Sequence, residues 1–172
     1  MPSTPNDRSR PFRLVAEILL CSCMLIAVAS AAAHLFLWNI SPSVPRGLYL
    51  LRRESTLGVG SLVSFSPPAA AAQIIEARRY LPRGAGLLKR IVASPGDQVC
   101  IDEHTYRVNG ARIGDVLTVD SAGRSLRPFR VCGPVPLGEA FVATSARLSF
   151  DSRYFGPVPL SSLVQAVPVW TY

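Results

Sequence analysis

Lysine and histidine are scarce in this sequence. Lysine and arginine together number 18 in 172 residues, but Lys89 is the single lysine, and there are only two histidines. Because a metal centre needs several ligands at tight spacing, this composition predicts no metal site and no cofactor. Arginine cannot lose its proton in a protein, whereas a buried lysine can. The one lysine is therefore a candidate for acid–base chemistry.

Internal repeats, heptad patterns and long charged tracts are also absent. The arginines occur singly or in pairs without interleaved aromatic residues. The net charge of +7 therefore indicates solvated surface, with anionic lipid as a candidate neighbour, rather than a nucleic-acid interface. Hydrophobic residues make up 49% of the chain, which excludes disorder throughout, and the length allows one domain with a short appendage.

One long hydrophobic run lies near the amino terminus. Residues 1–13 are polar and basic, and residues 14–38 are almost wholly apolar. A run of this length can cross a bilayer, and positive charge before it predicts that the amino terminus is cytoplasmic. We therefore predict a cytoplasmic tail, a transmembrane anchor over 14–38, and a periplasmic domain over 39–172 on the outer face of a bacterial inner membrane.

Two alternatives remain for this run. Ala31 and Ala33 form an A-x-A pattern, which is typical of the cleavage site of a signal peptide. The apolar residues continue past that site to Trp38, an aromatic residue suited to the membrane interface, and this favours an anchor. A buried helix of a soluble protein is the second alternative.

The remainder of the chain is predicted to be a mainly β domain. Short stretches rich in Leu, Val, Ile and Phe recur between turn signals and predict strands at 47–51, 61–66, 87–93, 98–101, 139–143 and 163–170. Asn109-Gly110 predicts a type I′ hairpin turn within 106–113. One small helix is predicted from about Pro68 to Leu81.

The four cysteines fall into two kinds. Cys21 and Cys23 lie inside the hydrophobic run and are predicted to act as small apolar side chains. Cys100 and Cys132 lie in the outer domain, where an oxidising compartment favours a disulfide between them.

Ser43 and Lys89 are the candidate nucleophile and base. Ser43 lies in a proline- and glycine-rich turn just after the apolar run, and a serine needs a base before it can attack a carbonyl. Strand alternation places Lys89 on the face of Leu87 and Ile91, where loss of water would lower its pKa. The alternative is a Ser-His-Asp arrangement that uses His104, which follows Asp102 and Glu103.

Three motifs occur in order along the chain. They are Ser43-x-Pro45-x-Gly47-Leu48-Tyr49, Leu88-Lys89-Arg90-x-Val92-x-x-x-Gly96-Asp97 and Ser149-x-Asp151-Ser152-Arg153-Tyr154-x-Gly156. Together they resemble the signal peptidase I superfamily of Ser/Lys proteases, and the proline two residues after Ser43 resembles the TraF branch of conjugative-transfer peptidases. The resemblance implies a signal-peptidase-like β domain behind one transmembrane helix.

The resemblance also implies a role for each matching residue. Ser43 would be the nucleophile, Lys89 the general base, and the Ser41 hydroxyl would join the Ser43 N–H in an oxyanion hole. Ser149 would orient the lysine, and Asp151 with Arg153 would form a supporting ion pair. Family members often have Gly-Asp-Asn ahead of the last motif, where this chain has Ala143-Thr144-Ser145.

The implied reaction is maturation of a membrane-tethered pilin precursor through an acyl-enzyme. Either water or the amino terminus of the substrate would resolve the ester, giving a linear or a cyclic product. Expected partners are the pilin precursor, the lipid bilayer and other proteins of the conjugation apparatus, without direct nucleic acid. The alternatives are a general signal peptidase with broad substrates and a non-catalytic component of envelope assembly.

Overall fold

The apolar run begins as a helix and ends as a strand. The computed structural model describes residues 9–54 and 56–172. Helix α1 is Ser9–Ala33, and within it Phe12–Ser30 is long and apolar enough to cross a membrane. Strand β1, Phe36–Asn39, follows after a short turn, so the predicted end of the anchor at Trp38 lies beyond the helix. Trp38 stacks on Trp170 at 5.9 Å between ring centroids, a tertiary contact that composition does not reveal.

The chain divides into two compact units, one ending at Phe36 and the other spanning Leu37–Tyr172. After β1, the elements in chain order are β2 (Gly47–Arg52), β3 (Leu62–Phe65), α2 (Ala69–Arg78), β4 (Leu87–Ala93), β5 (Gln98–Ile101), β6 (Thr105–Val108), β7 (Ala111–Asp115), β8 (Val131–Pro134), β9 (Glu139–Ala143), α3 (Ser152–Phe155), β10 (Val158–Pro159) and β11 (Val164–Thr171). A single 3₁₀ turn, Leu160–Ser162, precedes β11.

The strands form two sheets. A seven-stranded sheet has the order β1-β2-β11-β3-β4-β9-β10, and a four-stranded sheet has the order β7-β6-β5-β8. The core on one face of the larger sheet includes Phe65, Ile75, Ile91 and Val142, which lie on three strands and α2. A second cluster joins the smaller sheet to β4 and β9. The site described below lies where β2, β4 and the segment after β9 approach one another.

The prediction of a mainly β domain is confirmed, and most predicted strands agree with the structure within two residues. The hairpin turn has φ of 49° at Asn109 and 80° at Gly110, as a type I′ turn requires. Helix α2 lies inside the predicted range. Strands β1, β8 and β10 and the one-turn helix α3 were not predicted. Strand β10 and α3 are too short to produce a periodic pattern, β8 contains Gly133-Pro134, which is typical of a turn, and β1 continues the apolar run that was assigned to the anchor.

A disulfide fastens the smaller sheet. Cys100 on β5 and Cys132 on β8 are directly opposed in the antiparallel register, and the structure joins them. Cys21 and Cys23 in α1 are free and exposed.

Candidate active site

The turn that carries Ser43 connects β1 to β2 and is organised by Asn39. The Asn39 side chain is buried, and its amide nitrogen lies 2.9–3.2 Å from the carbonyl oxygens of Ser41, Val44 and Pro45. Its carbonyl oxygen accepts the backbone N–H of Ser41 at 3.0 Å. One side chain therefore contacts four backbone groups of the turn, with its two N–H hydrogens shared among three carbonyls. Sequence patterns did not identify Asn39 as part of the site; the one available signal was a polar residue ending an apolar run.

The far end of the turn is fixed by Tyr49 and Gly47. The Tyr49 hydroxyl donates to the Pro45 carbonyl at 2.6 Å, and the Tyr49 ring is buried. Gly47 has a φ of +143°, and a β-carbon there would lie 2.0 Å from the carbonyl oxygen of Trp170. Only glycine permits this close approach of β2 to β11. The turn is thus held at both ends, with Ser43 between them.

Lys89 reaches Ser43 from strand β4, which is separated from β2 by β11 and β3 in the sheet. The Lys89 side chain is buried, and its Nζ lies 3.4 Å from Ser43 Oγ and 2.8 Å from Ser149 Oγ. Burial lowers the Lys89 pKa from 10.5 to about 8; the nearby Asp151 charge opposes that shift and the Arg153 charge adds to it. With a pKa of about 8, about a tenth of this amine is neutral at pH 7 and about half at pH 8, and the neutral form can act as a base.

Ser41 and the Ser43 N–H lie side by side, as an oxyanion hole would require. Ser41 Oγ is 3.0 Å from Ser43 Oγ and accepts the Ser43 backbone N–H at 3.3 Å. The two groups are bonded to each other in this arrangement. Rotation of the Ser41 hydroxyl would let both donate to a third, negatively charged oxygen.

Asp151 and Arg153 form a buried ion pair behind the segment that carries Ser149. Arg153 Nε and Nη2 lie 2.8 and 2.7 Å from the two carboxylate oxygens, and both residues are at most 2% exposed. The other guanidinium contacts are with backbone carbonyls, namely those of Asp115, Thr144 and Ala146. Asp151 also caps α3 by accepting the Arg153 N–H. The pair therefore holds the backbone on both sides of Ser149.

This chain has Ala143-Thr144-Ser145 where family members often have Gly-Asp-Asn, and the segment contacts the ion pair through backbone atoms. The Thr144 N–H approaches a carboxylate oxygen of Asp151 at 3.4 Å, and the Thr144 carbonyl accepts from Arg153 at 3.1 Å. The Thr144 hydroxyl is buried and has no hydrogen-bond partner among the described residues. Contact with the ion pair thus uses main-chain atoms of Thr144, which any residue could supply.

A cleft with a volume of about 240 Å³ opens from this group of side chains. Ser41, Ser43, Lys89 and Ser149 line it together with apolar side chains from α2, β4 and the segment after β7. His104 does not line this cleft. Asp102 accepts hydrogen bonds from the His104 and Thr105 backbone, which is a local turn rather than a catalytic arrangement. The geometry therefore supports the lysine as partner of Ser43 over the histidine.

Known proteins that are similar to this chain indicate its family. A family model described as "Signal peptidase, peptidase S26" matches residues 10–171. The "Conjugal transfer protein TraF" of Agrobacterium tumefaciens (strain 15955) is 38% identical over 146 residues, covering 78% of this chain and 81% of the relative. The "Plasmid transfer protein TraF" of Escherichia coli is 31% identical over 170 residues, covering 91% of each chain. The crystal structure of a signal peptidase I from Enterococcus faecalis V583 aligns with 64% of this chain and 96% of its own, at 20% identity and a TM-score of 0.38. The chain belongs to the signal peptidase family, peptidase S26, and is a serine peptidase.

Proposed function

We propose that this chain is a membrane-anchored endopeptidase that matures a pilin precursor for conjugative DNA transfer, with Ser43 as nucleophile and Lys89 as general base. The observation that carries the proposal is a buried amine with a lowered pKa, 3.4 Å from the hydroxyl of Ser43. The relatives named as conjugal and plasmid transfer proteins support the choice of pathway.

The reaction begins with proton transfer from Ser43 Oγ to the neutral Lys89 Nζ. The alkoxide attacks the peptide carbonyl, and the Ser41 hydroxyl and Ser43 N–H stabilise the charge that develops on the carbonyl oxygen. When the intermediate collapses, Lys89 gives the proton to the leaving amine, and Ser43 keeps the acyl group as an ester. Ser149 holds the amine in place through its 2.8 Å contact.

Resolution of the ester needs a second nucleophile. Attack by water gives a linear product, whereas attack by the amino terminus of the same substrate gives a cyclic one. Lys89 would accept the proton of either nucleophile, so one dyad serves both outcomes. The weight of the product distinguishes them, because the cyclic chain lacks one water relative to the linear chain.

The proposed location is the bacterial inner membrane, with α1 as a single span and the second unit in the periplasm. Three arginines precede the apolar run, which supports a cytoplasmic amino terminus; they are Arg8, Arg10 and Arg13.

An exposed aromatic cluster consists of Trp38, Trp170 and Tyr172. The ring centroids of Trp38 and Trp170 are 5.9 Å apart, and those of Trp170 and Tyr172 are 5.0 Å apart. The backbone N–H of Tyr172 donates to the Arg46 carbonyl in the turn that carries Ser43. An aromatic cluster of this kind suits the lipid interface, where a membrane-tethered precursor would present its cleavage site.

The proposal is tested by incubating the full chain with the pilin precursor of the same conjugation system and weighing the products. Ser43→Ala and Lys89→Arg should each abolish processing, since arginine keeps the positive charge but cannot act as a base. Arg90→Gln is the matched control, because Arg90 is the exposed neighbour of Lys89 on β4 and should leave processing intact.

Processing that survives either Ser43→Ala or Lys89→Arg would overturn the mechanism. Rescue of a signal-peptidase-deficient strain would instead assign the chain to general signal-peptide removal. Conjugation that proceeds unchanged with Ser43→Ala would support a non-catalytic role in envelope assembly. Direct partners other than the precursor are expected among conjugation proteins, and nucleic acid is not expected among them.

A further inference from the structure

The segment between β7 and β8, residues 116–130, forms one wall of the cleft, and we name it the cleft loop. Leu117, Val119 and Leu126 of this loop line the cleft that contains Ser43. The two ends of the loop are anchored to α3. The Leu117 N–H donates to the Tyr154 hydroxyl at 3.1 Å, and the Phe129 N–H donates to the Arg153 carbonyl at 2.8 Å. Between these anchors the loop folds back on itself through a bridge of Val119 with Ser125.

The middle of the cleft loop is held by the buried carboxylate of Asp120. One carboxylate oxygen accepts the backbone N–H groups of Ala122 and Arg124, which closes a tight turn inside the loop. The other oxygen accepts the Tyr80 hydroxyl at 2.6 Å, Arg124 Nε at 2.8 Å and Arg78 Nη1 at 3.2 Å. A carboxylate has about four acceptor sites, and five donors surround this one, so Asp120 has no acceptor capacity left for another partner.

The opposite wall of the cleft comes from the end of α2. Arg79 ends that helix in a left-handed conformation with φ of 55°, and the Tyr80 N–H returns to the Ile75 carbonyl at 2.9 Å. This cap turns Tyr80 towards the cleft, which it lines together with Ile75. Arg78 Nη2 donates to the Ser125 carbonyl at 2.8 Å, and so a second bond joins the helix end to the loop.

We propose that Arg78, Tyr80 and Asp120 form a clasp that sets the width of the substrate cleft and thereby the affinity and selectivity for the peptide. The clasp joins two walls that are distant in sequence, and Tyr80 and Asp120 line the cleft themselves. They are positioning and specificity residues, since neither is hydrogen-bonded to Ser43 or Lys89. The proposal rests on the peptidase function proposed above.

The first test does not depend on activity. Asp120→Asn and Tyr80→Phe in the full chain in detergent micelles should raise hydrogen–deuterium exchange in residues 116–130, because each removes bonds that hold the loop to α2. Exchange in β4 and β9 should stay unchanged. Glu76→Gln is the control, because Glu76 lies on α2 and its exposed ion pair with Arg83 is not part of the clasp. Unchanged exchange in the cleft loop of both clasp variants would refute the clasp, whether or not the chain is a peptidase.

The second test uses internally quenched peptides that span the precursor cleavage site and carry alanine or phenylalanine beside the cut. Clasp variants should raise KM for the alanine peptide by about five- to tenfold with kcat within about twofold. Because the cleft has a volume of only about 240 Å³, the unaltered chain should prefer alanine over phenylalanine beside the cut. This preference should fall in the clasp variants, while the apparent pKa of kcat/KM stays that of the unaltered chain. Tyr80→Phe keeps the aromatic ring and leaves the backbone turn that Asp120 closes intact, so it remains informative if Asp120→Asn does not fold.

Two results would contradict the inference while leaving the peptidase proposal intact. One is a fall in kcat with unchanged KM, which would place the clasp in the chemical step. The other is unchanged KM and unchanged preference in Tyr80→Phe. Absence of Ser43-dependent cleavage in the unaltered chain would instead refute the proposed function, and the exchange experiment would still decide whether the clasp holds the loop.

Discussion

Replacing Lys89 with methionine should stabilise the fold while abolishing cleavage. Burial lowers the Lys89 pKa from 10.5 to about 8, which means that the folded protein disfavours the protonated amine. At about 1.4 kcal/mol for each pKa unit, this shift corresponds to roughly 3 kcal/mol of destabilisation near pH 7. Methionine keeps an apolar stem of similar length without the charge.

The gain is reduced because Ser149 loses its partner. The Ser149 hydroxyl lies 2.8 Å from Lys89 Nζ, and leaving that hydroxyl without a bond should cost about 1 kcal/mol. We therefore expect Lys89→Met to raise the free energy of unfolding by about 2 kcal/mol near pH 7. Urea unfolding of the full chain in detergent micelles, followed by tryptophan fluorescence, measures this difference.

The difference should also depend on pH in a defined direction. Below about pH 8 the amine is protonated in both the folded and the unfolded chain, so the full destabilisation is present. Between about 8 and 10.5 the unfolded chain binds a proton that the folded chain lacks, so the stability of the unaltered protein rises with pH. The gain in free energy of unfolding from Lys89→Met should therefore shrink between these two pH values.

Arg90→Met is the control, because Arg90 lies on the exposed side of the same strand and its replacement should show no such trend with pH. A Lys89→Met protein less stable than the parent at neutral pH, or a difference constant up to pH 10.5, would refute the burial argument.

Three further predictions follow from the site. The value of kcat/KM should rise with pH and level off with an apparent pKa of about 8, because neutral Lys89 is the active form; a profile flat from about pH 6 to 9 would contradict this. Asn39→Ala should lower kcat and destabilise the fold by about 2–3 kcal/mol, measured by peptide cleavage and urea unfolding, because three carbonyls of the Ser43 turn lose their donor. Gly47→Ala should destabilise by more than about 2 kcal/mol in the same unfolding assay, since its β-carbon would lie 2.0 Å from the Trp170 carbonyl. Gly58→Ala, with open space around it, should be nearly neutral, and equal effects at the two glycines would show that the close approach is not needed.

The sequence was sufficient to predict most of the strands, and it singled out Ser43 and Lys89, whose Oγ and Nζ atoms the structure places 3.4 Å apart. Alternation along 87–93 indicated the buried face of Lys89, and the Asn109-Gly110 turn indicated the hairpin, because both signals are local. The presence of a single lysine narrowed the choice of base, because no other residue of that type competes with Lys89. These features depend on composition and on nearest neighbours along the chain, which is the information that a single sequence carries best.

The contacts that support the site could not be predicted, because they depend on irregular turns and on residues that are distant in sequence. Asn39 acts through three carbonyls of an irregular turn, and no periodic pattern marks such bonds. The stacking of Trp38 on Trp170 of β11 could not be predicted, because composition does not indicate which residues meet in the folded chain. Asp120 contacts Tyr80 from a position 40 residues away in sequence, and a single sequence gives no indication of that pairing.

Asp151 and Arg153 form a buried ion pair near Lys89, which must lose its proton to act as a base. Because the two charges have opposite signs, the pair does not prevent the lowered pKa of Lys89. The Asp151 charge raises the Lys89 pKa and the Arg153 charge lowers it, so the two effects oppose each other and burial remains the largest cause of the shift. Removing Arg153 alone would leave Asp151 unopposed and would raise the Lys89 pKa, which would favour the inactive ammonium. Removing the pair together would preserve the balance of charge but release the carbonyls of Thr144 and Ala146 beside Ser149. The arginine is therefore needed for two reasons: its charge offsets that of Asp151, and its spare N–H groups hold the segment that orients the base.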